Sequence, residues 1–204
     1  RPMAKSAETT YDLVVFGATS FVGQILTRYL LDTYGVGQSV KWAIAGRSES
    51  KLNTLKSGLG EPAKDLPVIL ADASDEPALK VMCEQARVII STVGPYALYG
   101  EPLVQACVRT GTDYCDLAGE VQWIRKMVER YEGEAKSSGA RIVHCCGFDS
   151  IPSDMGVWFL QNQAEQVFGA PCCDVRMRVK VAKGEFSGGT VASMMNVAKE
   201  AAAD

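Results

Sequence analysis

YDLVVFGATSFVG, residues 11–23, joins a short apolar, β-branched run to a glycine turn and the start of a helical pattern. Strand, turn and helix in that order open a doubly wound α/β sheet. Gly17 permits a tight turn after the strand, and Gly23 lets helix and strand approach closely. Val22, Ile25, Leu26, Tyr29 and Leu30 fall at i, i+3, i+4, i+7 and i+8, which predicts one stripe facing the sheet. The backbone N–H groups of Thr19, Ser20, Phe21 and Val22 would face a pyrophosphate, which the helix dipole also favours. Ser20 stands where a middle glycine is usual; it keeps the turn if its φ is negative, and its hydroxyl could reach a phosphate. A glycine turn by itself can be purely structural. Its place between strand and helix in a repeating pattern is what points to a dinucleotide.

That unit recurs along the chain. Val40–Ala45 reads as a second strand, followed by Ser48 as N-cap of a helix carrying Leu52 and Leu55. Val68–Ala71 is a third, followed by Ser74 as a cap, Asp75 and Glu76 near a helix dipole, and Leu79, Met82, Cys83 and Ala86 on one face. Val88–Val93 is a fourth strand, a helix starts near Pro102, and Asp113–Leu117 is a fifth strand. Val121, Ile124, Val128, Tyr131 and Ala135 form the stripe of a longer helix that Gly139 ends before a sixth strand, Arg141–Cys145. Six strands alternating with helices predict a Rossmann-type doubly wound parallel sheet of the α/β class, and runs of apolar residues fit burial on both faces.

The pattern changes after Gly147. A helix from about Asp154 to Val167 precedes Cys173–Val181, where Val175, Met177, Val179 and Val181 alternate with Arg176, Arg178 and Lys180. That alternation predicts an antiparallel strand with one wet face. One helix and one strand cannot close a core, so residues 1–150 read as the dinucleotide-binding domain and 151–204 as the start of a second, truncated α+β domain. Arg1 and Pro2 precede the first methionine, Met3, and read as foreign to the native sequence.

The bulk numbers agree with a folded chain. Among 204 residues, 47% are hydrophobic and 22% charged, far from the composition of disorder. Lys plus Arg at 21 against Asp plus Glu at 24 gives −3, with no basic stripe to track a nucleic acid. There is no apolar run long enough for a transmembrane segment and no signal-peptide core, which predicts a cytoplasmic protein. Seven cysteines without C-x-x-C spacing read as reduced, small, buried side chains rather than as a metal site.

The second strand ends in Ala45-Gly46-Arg47-Ser48, where an NAD-binding chain usually carries a carboxylate for the ribose hydroxyls. The guanidinium of Arg47 would instead pair with a 2′-phosphate, with Ser48 beside it, which predicts NADP(H) as cofactor. The alternative is an Arg merely solvated at a strand end. Asp72 is placed to reach the adenine amino group or, equally, to cap a helix. Val93, Gly94 and Pro95 let the backbone pass near the nicotinamide ribose, at the edge where such sheets bind ligands. Asp116, Gly119, Glu120, Asp149 and Ser150 follow the fifth and sixth strands, and with Tyr96 they converge on that edge for a small-molecule substrate. Tyr96, Glu120 and Asp149 are the catalytic candidates; each carboxylate has the alternative of a cap or loop-orienting role. His144, the single histidine, reads as a core residue more readily than as a proton donor. A Tyr-x-x-x-Lys pair is absent, since Ala135 stands four places after Tyr131 and Lys136 one place too late.

GATSFVG at 17–23, AGR at 45–47, VGPY at 93–96, YCDLAGE at 114–120, CGFDSIPSD at 146–154 and SGGTVASM at 187–194 together resemble the saccharopine dehydrogenase-like oxidoreductases, especially their trans-acting enoyl reductase branch. The resemblance implies an NADP-binding Rossmann domain and a following α/β domain that contributes to the substrate cleft and to a homodimer and continues past residue 204. It also implies reduction of an enoyl or carbonyl group on an acyl, lipid-like substrate. A saccharopine-type amino-acid dehydrogenase and a non-catalytic NADP(H)-binding redox sensor are the competing readings.

Overall fold

The computed structural model describes residues 9–181, 183–184 and 188–201; Arg1, Pro2, Met3 and Ser187 lie outside them. Six strands form one sheet: β1 (Tyr11–Phe16), β2 (Trp42–Gly46), β3 (Val68–Leu70), β4 (Ala86–Ser91), β5 (Asp113–Asp116) and β6 (Ile142–Val143). Every pairing is parallel and the order is β3-β2-β1-β4-β5-β6. The order reverses between β1 and β4, so their carboxyl ends diverge to leave the crevice in which such sheets bind ligands. The α/β Rossmann expectation therefore holds.

Two apolar layers cover the sheet. On one face α3 (Glu76–Gln85), α5 (Glu101–Thr110) and α6 (Val121–Ser138) pack on Val14, Phe16, Ile89 and Tyr114. On the other, α1 (Phe21–Tyr34) and α2 (Glu49–Leu59) pack on Val15, Trp42 and Ile44. A short α4 (Tyr96–Tyr99) follows β4, while α7 (Ile151–Phe168) and α8 (Gly188–Ala201) come after the sheet.

Several local expectations are corrected. In α1 the buried positions are Gly23, Thr27, Leu30 and Leu31, whereas Ile25 and Tyr29 are each 56% exposed. Gly23 sets this rotation: a Cβ there would lie 2.3 Å from the Gly17 carbonyl oxygen, so the glycine must face the strand and Ile25 and Tyr29 must face out. In α6 the buried stripe is Trp123, Met127, Tyr131 and Ala135, while Val121 and Val128 point to solvent. The helix carries two apolar stripes, and the one with the larger side chains removes more area from water.

Ser74 does not cap α3. Asp75 does, accepting the Ala78 N–H at 3.0 Å, one residue later than expected. Ser48 caps α2 as predicted, accepting from the Lys51 N–H. The sixth strand is cut to two residues because Asp116 takes the next N–H groups. Its Oδ1 accepts from Cys145 and its carbonyl from Cys146, with Cys145 at φ 61. Cys173–Val181 forms no strand and joins no sheet among the described residues, with Met177, Val179 and Val181 mostly exposed. A strand needs a pairing neighbour, which alternation alone does not supply.

Candidate cofactor site at the switch point

Gly17 has φ +85, and a Cβ there would meet Val93 Cγ2 at 2.7 Å and Thr92 Oγ1 at 2.8 Å. Only a residue without a side chain lets the ends of β1 and β4 approach this closely. The Gly17 and Ala18 N–H groups bond to the Ala45 carbonyl, and the Ser20 N–H bonds back to the Gly17 carbonyl. Ser20 has φ −68, as its place in the turn requires, and its Oγ caps α1 by accepting the Gly23 N–H at 3.0 Å.

Thr92 completes this arrangement. Its Oγ1 lies 2.9 Å from Ser20 Oγ and 2.9 Å from the Gly17 carbonyl oxygen, so a chain of hydroxyl donors runs from Ser20 through Thr92 to Gly17. The Ser20 hydroxyl is thus engaged inside the protein and shapes the loop instead of offering its proton to a phosphate. The N–H groups of Thr19, Phe21 and Val22 have no acceptor among the described residues. Three unpaired donors at the positive end of a 14-residue helix can hold an anion. Sequence reasoning did not single out Thr92; a small hydroxyl residue ending the strand beside the glycine turn was its signal.

Arg47, at the end of β2, is exposed and has no carboxylate within ion-pair distance among the described residues. It is close enough to Asp72 to favour that carboxylate electrostatically. Asp72 Oδ1 accepts from the Ser74 hydroxyl at 2.7 Å and the Ser74 N–H at 2.9 Å, and these bonds, with Arg47, hold its pKa below the usual carboxylate range. Asp72 therefore shapes the turn after β3, and the cap it was weighed for belongs to Asp75.

At the end of β4, Glu120 and Tyr96 come together. The Glu120 carboxylate is 2% exposed and accepts the Tyr96 N–H at 2.8 Å, the Ala97 N–H at 2.9 Å and the Ser193 hydroxyl of α8 at 2.9 Å. It thereby caps α4 from 24 residues away. The Tyr96 hydroxyl donates to the Ser91 carbonyl at 3.0 Å and accepts from the Leu117 N–H at 3.3 Å, and burial pushes its pKa well up. Val93, Gly94 and Pro95 span the few residues between the Thr92 latch and this clamp.

Asp116 is fully buried. It accepts from the Tyr114 hydroxyl and the Ala118 and Cys145 N–H groups, and it lies 2.6 Å from His144 Nδ1. The His144 ring packs edge-on against Trp123 and Tyr114, as a core residue should. Asp149 is exposed and shares no hydrogen bond with Tyr96 or Glu120 among the described residues. Gly119 directly precedes Glu120 and Ser150 directly follows Asp149, where it precedes α7 without a side-chain cap bond. Cys83 and Cys107 are buried as expected, whereas Cys172 and Cys173 are exposed. No cluster suited to a metal ion occurs among the described residues.

A Mycobacterium tuberculosis protein provisionally named as a trans-acting enoyl reductase is 43% identical over 95% of this chain and 46% of its own length. A trans-acting enoyl reductase of Mycobacterium bovis is 40% identical over 97% of this chain and 47% of its own. The chain thus spans about half the length of these relatives. Among solved structures, saccharopine dehydrogenase (L-Glu forming) from Saccharomyces cerevisiae shares the fold, with TM-score 0.57 and 19% identity over 77% of this chain and 31% of that one. The profile of the saccharopine dehydrogenase NADP binding domain matches residues 13–143, the six-stranded sheet but for the first two residues of β1, and the chain belongs to that family.

Proposed function

We propose that this chain holds NADP(H) for a reductase that delivers hydride to an enoyl group of an acyl substrate. The observation that carries the proposal is the pairing of two features at one crevice. Free N–H groups of Thr19, Phe21 and Val22 lie beside Gly17 and Gly23, and an unpaired Arg47 ends the neighbouring strand. In this reading the loop cradles the pyrophosphate, Arg47 and Ser48 take the 2′-phosphate, and Asp72 borders the adenine. Val93, Gly94 and Pro95 border the nicotinamide ribose, on a backbone that Glu120 and Tyr96 keep in place. The enoyl class is supported by the names of the relatives at 40–43% identity. The bound cofactor supplies the hydride; the protein supplies orientation. Asp149, exposed in the loop after β6, is the candidate carboxylate left free to meet substrate, and residues from 151 onward begin the region that completes the cleft.

The test is titration of the protein with NADPH and NADH, followed by NADPH oxidation with a panel of trans-2-enoyl and keto thioesters. NADPH is expected to bind more tightly. Arg47→Ala removes charged hydrogen bonds worth ~1.5 to 3 kcal/mol, roughly a 10- to 150-fold loss of NADPH affinity with little change for NADH. Equal affinities in the unmutated protein would refute the cofactor assignment. Bound NADPH that no enoyl thioester oxidises would refute the substrate class.

A further inference from the structure

Helix α1 has two apolar faces, and the sheet covers one. Phe21, Ile25 and Tyr29 recur every four residues and are 67%, 56% and 56% exposed. Soluble proteins scatter exposed apolar residues singly; an aligned aromatic and aliphatic row is what binding surfaces display. Beside it runs a groove of about 760 Å³ between α1 and α2, with Ile25, Leu55 and Leu59 among its apolar walls and Gly58 leaving one side open.

The groove is also cationic. Arg28 from α1 and Lys51 from α2 line it together, no acidic side chain does, and neither cation has a carboxylate within ion-pair distance among the described residues. Three other helical cations are matched on their own helix, Lys80 by Glu84, Arg125 by Glu129 and Lys136 by Glu132, and two across helices, Arg109 by Glu134 and Arg130 by Glu101. A slot between two helices, with Ile25, Leu55 and Leu59 beside Thr19, Gln24 and Thr54 and with two positive charges that no carboxylate pairs, complements an amphipathic helix with carboxylates beside its apolar stripe. The groove reaches Thr19 of the glycine turn, so its occupant would lie next to the cofactor crevice.

We infer that the α1–α2 groove, with the Phe21-Ile25-Tyr29 row, docks an acidic helix of the separate protein that carries the acyl substrate. This rests on the enoyl reductase reading for its partner, though not for the surface itself. The walls supply apolar area; Arg28 and Lys51 supply steering and register, an effect that salt screens over a Debye length of ~8 Å at physiological ionic strength.

The experiment uses an acyl carrier protein loaded with a trans-2-enoyl chain on its phosphopantetheine arm, against the same chain as a free pantetheine thioester. Fluorescence anisotropy of labelled carrier reads binding without turnover. Ile25→Glu combined with Arg28→Glu should weaken carrier binding and raise its KM at least 10-fold. The kcat and KM for the free thioester and the NADPH affinity should stay unchanged, which also shows that the variant is folded. In the unmutated protein, carrier affinity should fall as salt rises. Unchanged carrier binding and KM in the double variant would overturn the inference. So would a double variant that turns a dimer into a monomer in sedimentation, because a second copy would then cover the row. If the carrier binds in the expected way and neither thioester is reduced, the enoyl reductase reading fails and the docking surface stands.

Discussion

Replacing Glu120 tests whether this carboxylate positions the loop after β4 or takes part in proton transfer. Its two oxygens accept two backbone N–H groups at 2.8 and 2.9 Å and a serine hydroxyl at 2.9 Å, in a setting 2% exposed. Glu120→Ala leaves the Tyr96 and Ala97 donors without their acceptor, each costing ~1 to 3 kcal/mol in a buried place. Water entering the space left by the side chain offsets part of this, so a total of ~2 to 4 kcal/mol is expected. At roughly 2 to 4 °C per kcal/mol for a chain of this size, Tm should fall by ~4 to 16 °C. Glu120→Gln keeps one accepting oxygen but turns an amide donor towards the other N–H, so about half that loss is expected. Because Gly94 and Pro95 lie directly before the clamped residues, NADPH affinity should fall in parallel with Tm, read by thermal circular dichroism and cofactor titration. A Glu120→Gln protein with unchanged Tm and NADPH affinity but ~10²-fold lower kcat would refute the positioning role and make the carboxylate a proton-transfer group.

Gly17→Val places a Cβ at 2.7 Å from Val93 and 2.8 Å from Thr92 in left-handed backbone, so NADPH binding should be lost; unimpaired binding by a folded variant would show the loop is misassigned. Thr92→Val keeps the volume and removes the hydroxyl between Ser20 and Gly17, and should cost ~1 kcal/mol of stability, read by denaturant midpoint, together with weaker NADPH binding. The buried indole N–H of Trp123 has no partner among the described residues, so Trp123→Phe should leave Tm nearly unchanged, whereas Trp123→Ala should cost ~3 to 5 kcal/mol; a large loss in the Phe variant would reveal an acceptor for that N–H. Iodoacetamide at neutral pH should label the exposed Cys172 and Cys173 first, by peptide mass. The Cys115 thiol, pushed up to about 12 chiefly by burial, should react slowly and gain only as pH rises through the alkaline range.

What the sequence determined by itself is the part of the architecture set by neighbours along the chain. YDLVVFGATSFVG requires strand, turn and helix in order because Gly17 and Gly23 are where backbone must bend and approach. Repetition of that unit up to Ile142–Val143 leaves a parallel sheet as the arrangement that buries the strands on both faces. Arg47 in place of a carboxylate after β2 was legible for the same reason, since its chemistry depends only on its position at a strand end. Tertiary structure decided what the chain could satisfy in more than one way. Helices α1 and α6 each carry two apolar stripes, and only the close contact of Gly23 with Gly17, or the larger area of Trp123 and Met127, selects the buried one. Residues 173–181 alternate like a strand but find no neighbour to pair with among the described residues. Glu120, Tyr96 and Asp116 read in the sequence as candidates for the substrate side, with a cap or loop-orienting role as the alternative for each carboxylate; in the fold each is engaged by donors or acceptors, some more than 20 residues away, and Glu120 takes the loop-orienting role. Ser20 meets Thr92 across 72 residues. Such partners meet only when the sheet brings β1, β4 and β5 side by side, and a buried polar group takes whichever partner that packing places within hydrogen-bond reach.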